Sequence, residues 1–201
     1  MLANLQMSRT LVKNSTRMQR EVSQNNLEQE WRQIQQAQLD PRAFQPLYDR
    51  YFESIFKFVF RRTGDMALSN DLCSQVFLKA MENLSNYQYK GVPFSSWLFR
   101  IASNEIAQHF RAAKKNRVVS VEDYSLASMI DEVEEEDTET YRIALLKALE
   151  GLKEQDIQLI ELRFFEQRPF KEVAEIMQIT ESNAKVRTYR ILQRLRKRIE
   201  I

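Results

Sequence analysis

Residues 180–201 read TESNAKVRTYRILQRLRKRIEI. Between Lys185 and Arg198, seven of the fourteen residues are basic and none is acidic, so a helix here presents a strongly positive surface. At roughly 100° per residue, Arg187, Arg190, Arg194 and Arg198 fall on one face with Asn183 just ahead of them. Val186, Tyr189, Leu192, Leu195 and Ile199 fall opposite. The spacing therefore predicts that the aliphatic face packs and the arginine face is left for an anion. Thr180 stands at the N-cap position, and Glu181 lies in the first turn, where the helix dipole favours negative charge.

Immediately upstream, Pro169-Phe170-Lys171-Glu172-Val173-Ala174-Glu175-Ile176-Met177 reads as a short amphipathic helix opened by proline, with Gln178-Ile179 as a tight connection. Two helices joined by so short a turn, the second basic, match the helix-turn-helix, whose second helix enters the major groove of DNA N-terminus first. A charged helical hairpin that binds nothing is the alternative. Ordinary solvated helix faces, however, mix both signs for i,i+4 support, and this one does not.

The rest of the composition agrees with an all-α protein. Three glycines and four prolines in 201 residues leave little material for hairpin turns. Net charge is only +2, but it is unevenly spread: residues 118–140 hold nine acidic and no basic residues, and the blocks on either side are basic. Cys73 is the only cysteine and His109 the only histidine. The sequence therefore predicts no intramolecular disulfide, no cysteine or histidine zinc cluster and no cofactor. No apolar run approaches a membrane span, and the N-terminus lacks the apolar stretch of a secretion signal, so a cytoplasmic protein is expected.

In chain order, residues 1–38 are expected to be an N-terminal extension, partly mobile, with a helix from about Leu27 whose apolar members are Trp31, Ile34 and Leu39. From Ala43 to Phe60, apolar residues recur at three and four, the signature of a helix burying one face, with Gly64 as its stop. A second helix spans about Met66 to Leu84, with Leu72, Val76, Phe77, Ala80, Met81 and Leu84 inward. The stretch 85–93, SNYQYKGVP, reads as a loop. A third helix starts at Phe94, packs Leu98, Ile101, Ala102, Ile106 and Phe110, and turns Arg100, Asn104, Gln108 and Arg111 outward. Trp97 is expected to pack inside. After the acidic segment, a second helical block begins with Ile143, Leu145, Leu146, Leu149 and Leu152 and runs into the helix-turn-helix.

FSSWLFRIASN at 94–104 resembles the phenylalanine, tryptophan-leucine, arginine-isoleucine-alanine and asparagine pattern of sigma-70 family factors, in particular the short extracytoplasmic-function group. Asn70-Asp71-Leu72 with Val76-Phe77 resembles the same region. Val173-Ala174-Glu175-Ile176-Met177, followed by Asn183-Ala184-Lys185-Val186-Arg187 and Arg190, is similar to the family's other conserved region. Together these cover about two thirds of the chain. Five positions depart from the pattern: Ser74-Gln75 stand where glutamine and an acid are usual, Gln108 where aspartate is usual, Gln178 where the turn often has glycine, and Asp156 where arginine is common.

The resemblance implies two small helical domains: region two over 39–117 and region four over 140–201, joined by a flexible acidic linker at 118–139. It implies a non-catalytic specificity subunit that binds core RNA polymerase and promoter DNA, and it suggests an anti-sigma factor as a further partner. For duplex reading at the minus-thirty-five element it points to Glu181, Ser182, Asn183, Lys185 and Arg187, with Arg190 and Arg194 on phosphates. Opening the minus-ten element requires an unstacked base to be held, which aromatic rings with positive charge do well. Tyr87, Tyr89 and Lys90 in the loop, beside Arg100, Asn104, Gln108 and Arg111, have that chemistry. Asp71 and Gln75 are the expected polymerase contacts. In this setting the acidic linker could mimic a nucleic-acid backbone in a polymerase channel. A free-standing helix-turn-helix regulator remains the alternative, and it would need a dimerisation or ligand domain that 43–117 does not announce. An enzyme would need an acid-base or metal constellation, which the carboxylates do not form.

Overall fold

The computed structural model describes residues 26–113, 147–149 and 151–199. These are helical throughout, with no strand among the described residues. The acidic segment, the extreme N-terminus and Ile143, Leu145 and Leu146 lie outside the described residues.

Helix α1 occupies 26–39. Ile34 and Ala37 are buried, whereas Leu39, the last apolar member of the helix, is 90% exposed. The helix ends there, one residue before the Asp40 side chain caps a 3-10 turn at Pro41–Phe44. α2 follows at Gln45–Thr63, and it stops where expected: Gly64 takes φ 62° and its N–H donates to the Phe60 carbonyl. Glycine reaches that left-handed conformation without a Cβ clash. Asp65 then caps α3, Met66–Asn83, by accepting from the Leu68 N–H.

α4 spans Phe94–Ala113 and is the central packing element of the first block. Phe94, Leu98, Phe99, Ala102 and Ile106 are all fully buried. Its first turn is capped from outside: Glu30 of α1, 5% exposed, accepts the Phe94 N–H at 2.8 Å and also the Tyr51 hydroxyl. A helix start leaves its first N–H groups without intrahelical partners, and a carboxylate is the best partner for them. Gln38, near the other end of α1, donates to the Leu84 and Tyr87 carbonyls. Helix α1 is thereby tied to both ends of the 84–94 connection. Lys79 bonds both oxygens of the buried Glu105 and pins α3 to α4.

The second block holds α5 (Glu154–Ile160), a π turn at Glu161–Phe165, α6 (Phe170–Met177) and α7 (Glu181–Ile199). The α6–α7 turn is closed by Gln178 at φ 56°, its N–H bonded to Ala174. Glutamine thus adopts the left-handed conformation for which glycine is better suited. Thr180 caps α7 as expected, its hydroxyl accepting the Asn183 N–H at 3.1 Å.

The two blocks pack on each other. Arg62, at the end of α2, is 1% exposed and reaches Glu154 at 3.0 Å and Glu161 in an ion pair. Its neighbour Arg61 pairs with Glu166. From the other side, Arg168 donates to Ser95 at 2.9 Å and lies over the Phe99 ring. Buried charges persist only with such partners.

The packing of Phe58, fully buried and edge-on to Phe99 at 5.0 Å, predicts that Phe58→Ala costs about 3–5 kcal/mol. Leu39→Ala, at an exposed helix end, should change stability by less than about 0.5 kcal/mol. Urea denaturation of the two variants measures both, and an equal loss would place Leu39 in the core after all.

Candidate nucleic-acid interface

The 3-10 turn Leu84–Asn86, the loop after it and one face of α4 enclose a cavity of about 450 Å³. Its wall includes Tyr87, Lys90, Trp97, Arg100 and Asn104, five residues of the minus-ten side that the sequence had placed in two separate elements. Four were expected to touch DNA. Trp97 was expected to be interior, and it is half-buried, packed on Tyr87 at 4.9 Å and Phe94 at 5.3 Å while still lining the cavity.

Tyr87 is the ring around which this wall is built. It meets Trp31 of α1, Phe94 and Trp97, and burial followed by the charge of Glu30 pushes its hydroxyl well above the ordinary tyrosine range. It is therefore a neutral phenol at any working pH. Tyr89 is more open, at 38% exposed, and stacks on Trp31 at 5.9 Å. Trp31 is the aromatic that the sequence reading assigned only to packing. Gln108 is exposed on α4 outside the cavity wall. Arg111 lines a second groove of about 490 Å³ with Arg100, Asn104 and Arg187, between the two blocks.

Lys90 and Arg100 do not face empty solvent. Glu175 of α6 accepts from Lys90 at 2.8 Å and from Arg100 at 3.2 Å through the same oxygen. The rest of the wall holds the amides of Asn83, Asn86, Gln88 and Asn104, the Lys79 to Glu105 pair, and the rings of Tyr87 and Trp97.

On α7 the buried residues are Ala184, Thr188, Ile191 and Leu195. The packed stripe is thus rotated from the one expected. Val186 and Tyr189, which periodicity placed inward, are 48% and 63% exposed. Ala184, Thr188, Ile191 and Leu195 recur at four, three and four residues, a second helical stripe, and beside it Asp156 of α5, 8% exposed, pairs with Arg187 at 3.1 Å and Arg194 at 2.7 Å. Glu181 and Lys185 form an exposed i,i+4 pair at 2.6 Å, and Ser182, Asn183 and Arg190 are exposed. The outward surface therefore combines Ser182, Lys185, Val186, Tyr189 and Arg190, with Gln193 bonded to the Tyr189 hydroxyl.

Asp71 and Gln75 are exposed on α3. Leu78 and Met81, one and two turns further along the same helix, are 57% and 43% exposed, so Met81 is not the core residue that spacing suggested. Sequence reading missed this polar and apolar strip because an exposed leucine leaves no signal in a periodicity. Among the described residues, no three His, Cys, Asp or Glu side chains group as metal ligands, and no helix is long and apolar enough to cross a membrane.

Asp156 yields a test of the α7 geometry. Burial raises its carboxyl, but hydrogen bonds and charge from Arg194 and Arg187 outweigh that and hold it below the ordinary aspartate value. Its stabilising effect is then present above the unfolded-state aspartate pKa and lost as pH falls through the lower folded-state value. Asp156→Asn should cost about 1–2 kcal/mol at neutral pH and flatten the acid limb of the stability curve, as read by thermal melts between pH 7 and 3.

Comparison with known proteins gives this geometry a family. Residues 47–116 match sigma-70 region 2, and residues 148–197 match sigma-70 region 4. The chain is 30% identical over 155 residues to the ECF RNA polymerase sigma factor BldN of Streptomyces coelicolor; the match covers 76% of this chain and 59% of that one. It is 25% identical over 154 residues to the ECF RNA polymerase sigma factor SigM of Bacillus subtilis, covering 75% of this chain and 91% of that one. The structure of the sigma factor RpoE in complex with the anti-sigma factor NepR from Bartonella quintana shares the fold at TM-score 0.56 and 17% identity, over 79% of this chain and 97% of that one. The two regions occur in the order and at the separation expected from the motifs at 94–104 and 173–190, the relatives they match are named ECF sigma factors, and the chain belongs to the sigma-70 family.

Proposed function

We propose that this protein binds core RNA polymerase and directs it to promoters, where it recognises and opens DNA to begin transcription. The observation that carries this is the pairing of two different nucleic-acid surfaces on one chain of this family: an exposed polar recognition helix, α7, and an aromatic cavity beside the 84–94 loop whose wall includes Lys79, Lys90 and Arg100. A free-standing regulator needs the first surface and has no use for the second. The polypeptide supplies specificity, and the polymerase supplies catalysis. The work takes place in the cytoplasm, where the polymerase and chromosome are.

The division of labour follows from exposure. Ser182, Lys185, Val186, Tyr189 and Arg190 read the upstream duplex, the two apolar side chains being suited to thymine methyl groups and the cations to guanine edges or phosphate. Glu181 orients Lys185, and Asn183 lies in the same first turn. Arg187 and Arg194, held by Asp156, serve the backbone rather than base edges, which moves Arg187 out of the role its sequence position suggested. Downstream, Tyr87, Tyr89, Trp97 and Asn104 take an unstacked base, Lys90 and Arg100 its phosphates, and Arg111 and Gln108 the adjoining backbone. Asp71 and Gln75, with Leu78 and Met81 beside them, form the polymerase-binding strip of α3. An anti-sigma protein is the inhibitor expected of this group.

Run-off transcription with core polymerase and a promoter library tests the reading. Defined start sites that depend on this protein are expected; tight sequence-specific DNA binding by the protein alone, with no stimulation of polymerase, would transfer it to the free-standing regulators. Within the sigma reading, Tyr189→Ala should reduce discrimination between promoter and scrambled upstream sequence by about 1–3 kcal/mol. Arg194→Ala should weaken both alike and shallow the salt dependence by about one phosphate contact. Competition binding of the polymerase complex separates the two.

A further inference from the structure

Helix α1 lies ahead of the residues 47–116 that match region 2, yet both ends of the 84–94 connection are held by it. At about 100° per residue, Glu30, Trp31, Ile34, Ala37 and Gln38 share roughly one third of the helix circumference. Ile34 and Ala37 are buried and dock the helix. The other three reach the connection. Gln38 donates to the Leu84 and Tyr87 carbonyls at 2.8 and 3.0 Å, and Glu30 accepts the Phe94 N–H at 2.8 Å. Trp31 lies 6.2 Å from the Tyr87 ring and stacks on Tyr89. We propose that α1 is a splint for the strand-holding loop, with Glu30 and Gln38 as positioning residues that fix its two ends and Trp31 as the ring that supports its two tyrosines.

This rests on the proposed strand-holding role of the cavity. A connection without regular backbone pairing samples many conformers, and holding a base requires one of them. Conformers removed in advance need not be frozen out when the strand binds. Gln38 acts at the 3-10 turn Leu84–Asn86, whose closing bond runs from the Tyr87 N–H to the Leu84 carbonyl at 3.0 Å. The Leu84 carbonyl therefore accepts twice, and Gln38 joins the turn to Tyr87, the residue that leaves it and lines the cavity. At the other end Glu30 is 5% exposed, accepts the Tyr51 hydroxyl and lies 3.8 Å from Arg50. The carboxylate that fixes Phe94 is thus itself fixed from α2. A helical rise of about 1.5 Å per residue sets the two anchors about 12 Å apart on one rigid rod. These bonds touch neither the exposed strip of α3 nor α7, so loss of the splint separates strand holding from duplex reading and polymerase contact.

Gln38→Met keeps the length of the side chain and removes its donors, and Glu30→Gln keeps the shape and removes the charge that holds the Phe94 N–H. With core polymerase and a promoter, permanganate reactivity of minus-ten thymines should fall about tenfold in each variant. The preference for promoter over scrambled upstream sequence should stay within about twofold. Leu39→Ala, at the exposed neighbour of Gln38, should leave both unchanged. Equal losses of opening and upstream preference in Gln38→Met would reduce the effect to general unfolding and overturn the splint, as would undiminished opening in both variants. A second readout needs no polymerase. In the full chain, amide hydrogen exchange over 84–94 should speed up about tenfold in Gln38→Met, while that of the buried Phe58 and Val59 in α2 stays as it was. Unchanged loop exchange would overturn the splint whether or not promoters open. Faster loop exchange, with no promoter opened by the unsubstituted chain, would support the splint and remove the sigma reading alone.

Discussion

A guanidinium cannot be removed from water unless carboxylates come with it. Arg62 closes α2 almost wholly out of solvent, and the carboxylates it needs, Glu154 and Glu161, come from the start of α5 and the π turn after it, in the other block. The arrangement of the two blocks depends on this. The guanidinium lies over the Phe58 ring of its own helix and pairs with carboxylates of the second block, so the first helical block is coupled to the second.

The same electrostatic demand recurs wherever the chain prepares a surface for nucleic acid. Positive side chains set out for a phosphate backbone must coexist without one. Here they coexist by borrowing internal carboxylates: Asp156 for Arg187 and Arg194, Glu175 for Lys90 and Arg100, Glu181 for Lys185. Asp156 is the most deeply buried of these acids, yet even its partner Arg194 keeps 50% of its side-chain surface exposed. The cations thus stay within reach of a phosphate backbone while an internal acid balances their charge.

Much of the fold was legible in the sequence because its signals are local. The apolar spacing of α2 and α3, the glycine stop at Gly64 and the threonine cap at Thr180 each act within a few residues, and the structure has each of them. The family motifs at 94–104 and 173–190 were equally plain. What escaped was set by contacts distant in sequence. Val186 and Tyr189 read as packing residues, whereas the stripe of Ala184, Ile191 and Leu195 is the one that meets the rest of the block. Gln178 replaces an expected glycine without altering the turn, because the left-handed strain of one residue is small beside the packing of two helices. The bridge between blocks had no local signature: Arg61 and Arg62 look like any basic helix end. Trp31, too, seemed to belong to a peripheral helix, whereas it packs on Tyr87 and Tyr89 and supports the aromatic wall.

That placement of Trp31 has an optical consequence. The chain has two tryptophans, Trp31 and Trp97, and both lie against Tyr87. The indole emission of the entire protein therefore originates from two rings in contact with Tyr87, of which Trp97 lines the cavity. A nucleobase stacking in the cavity would meet Trp97 directly and Trp31 by way of Tyr87. The molecule carries its own spectroscopic window, and it opens onto the place where a DNA strand would be held.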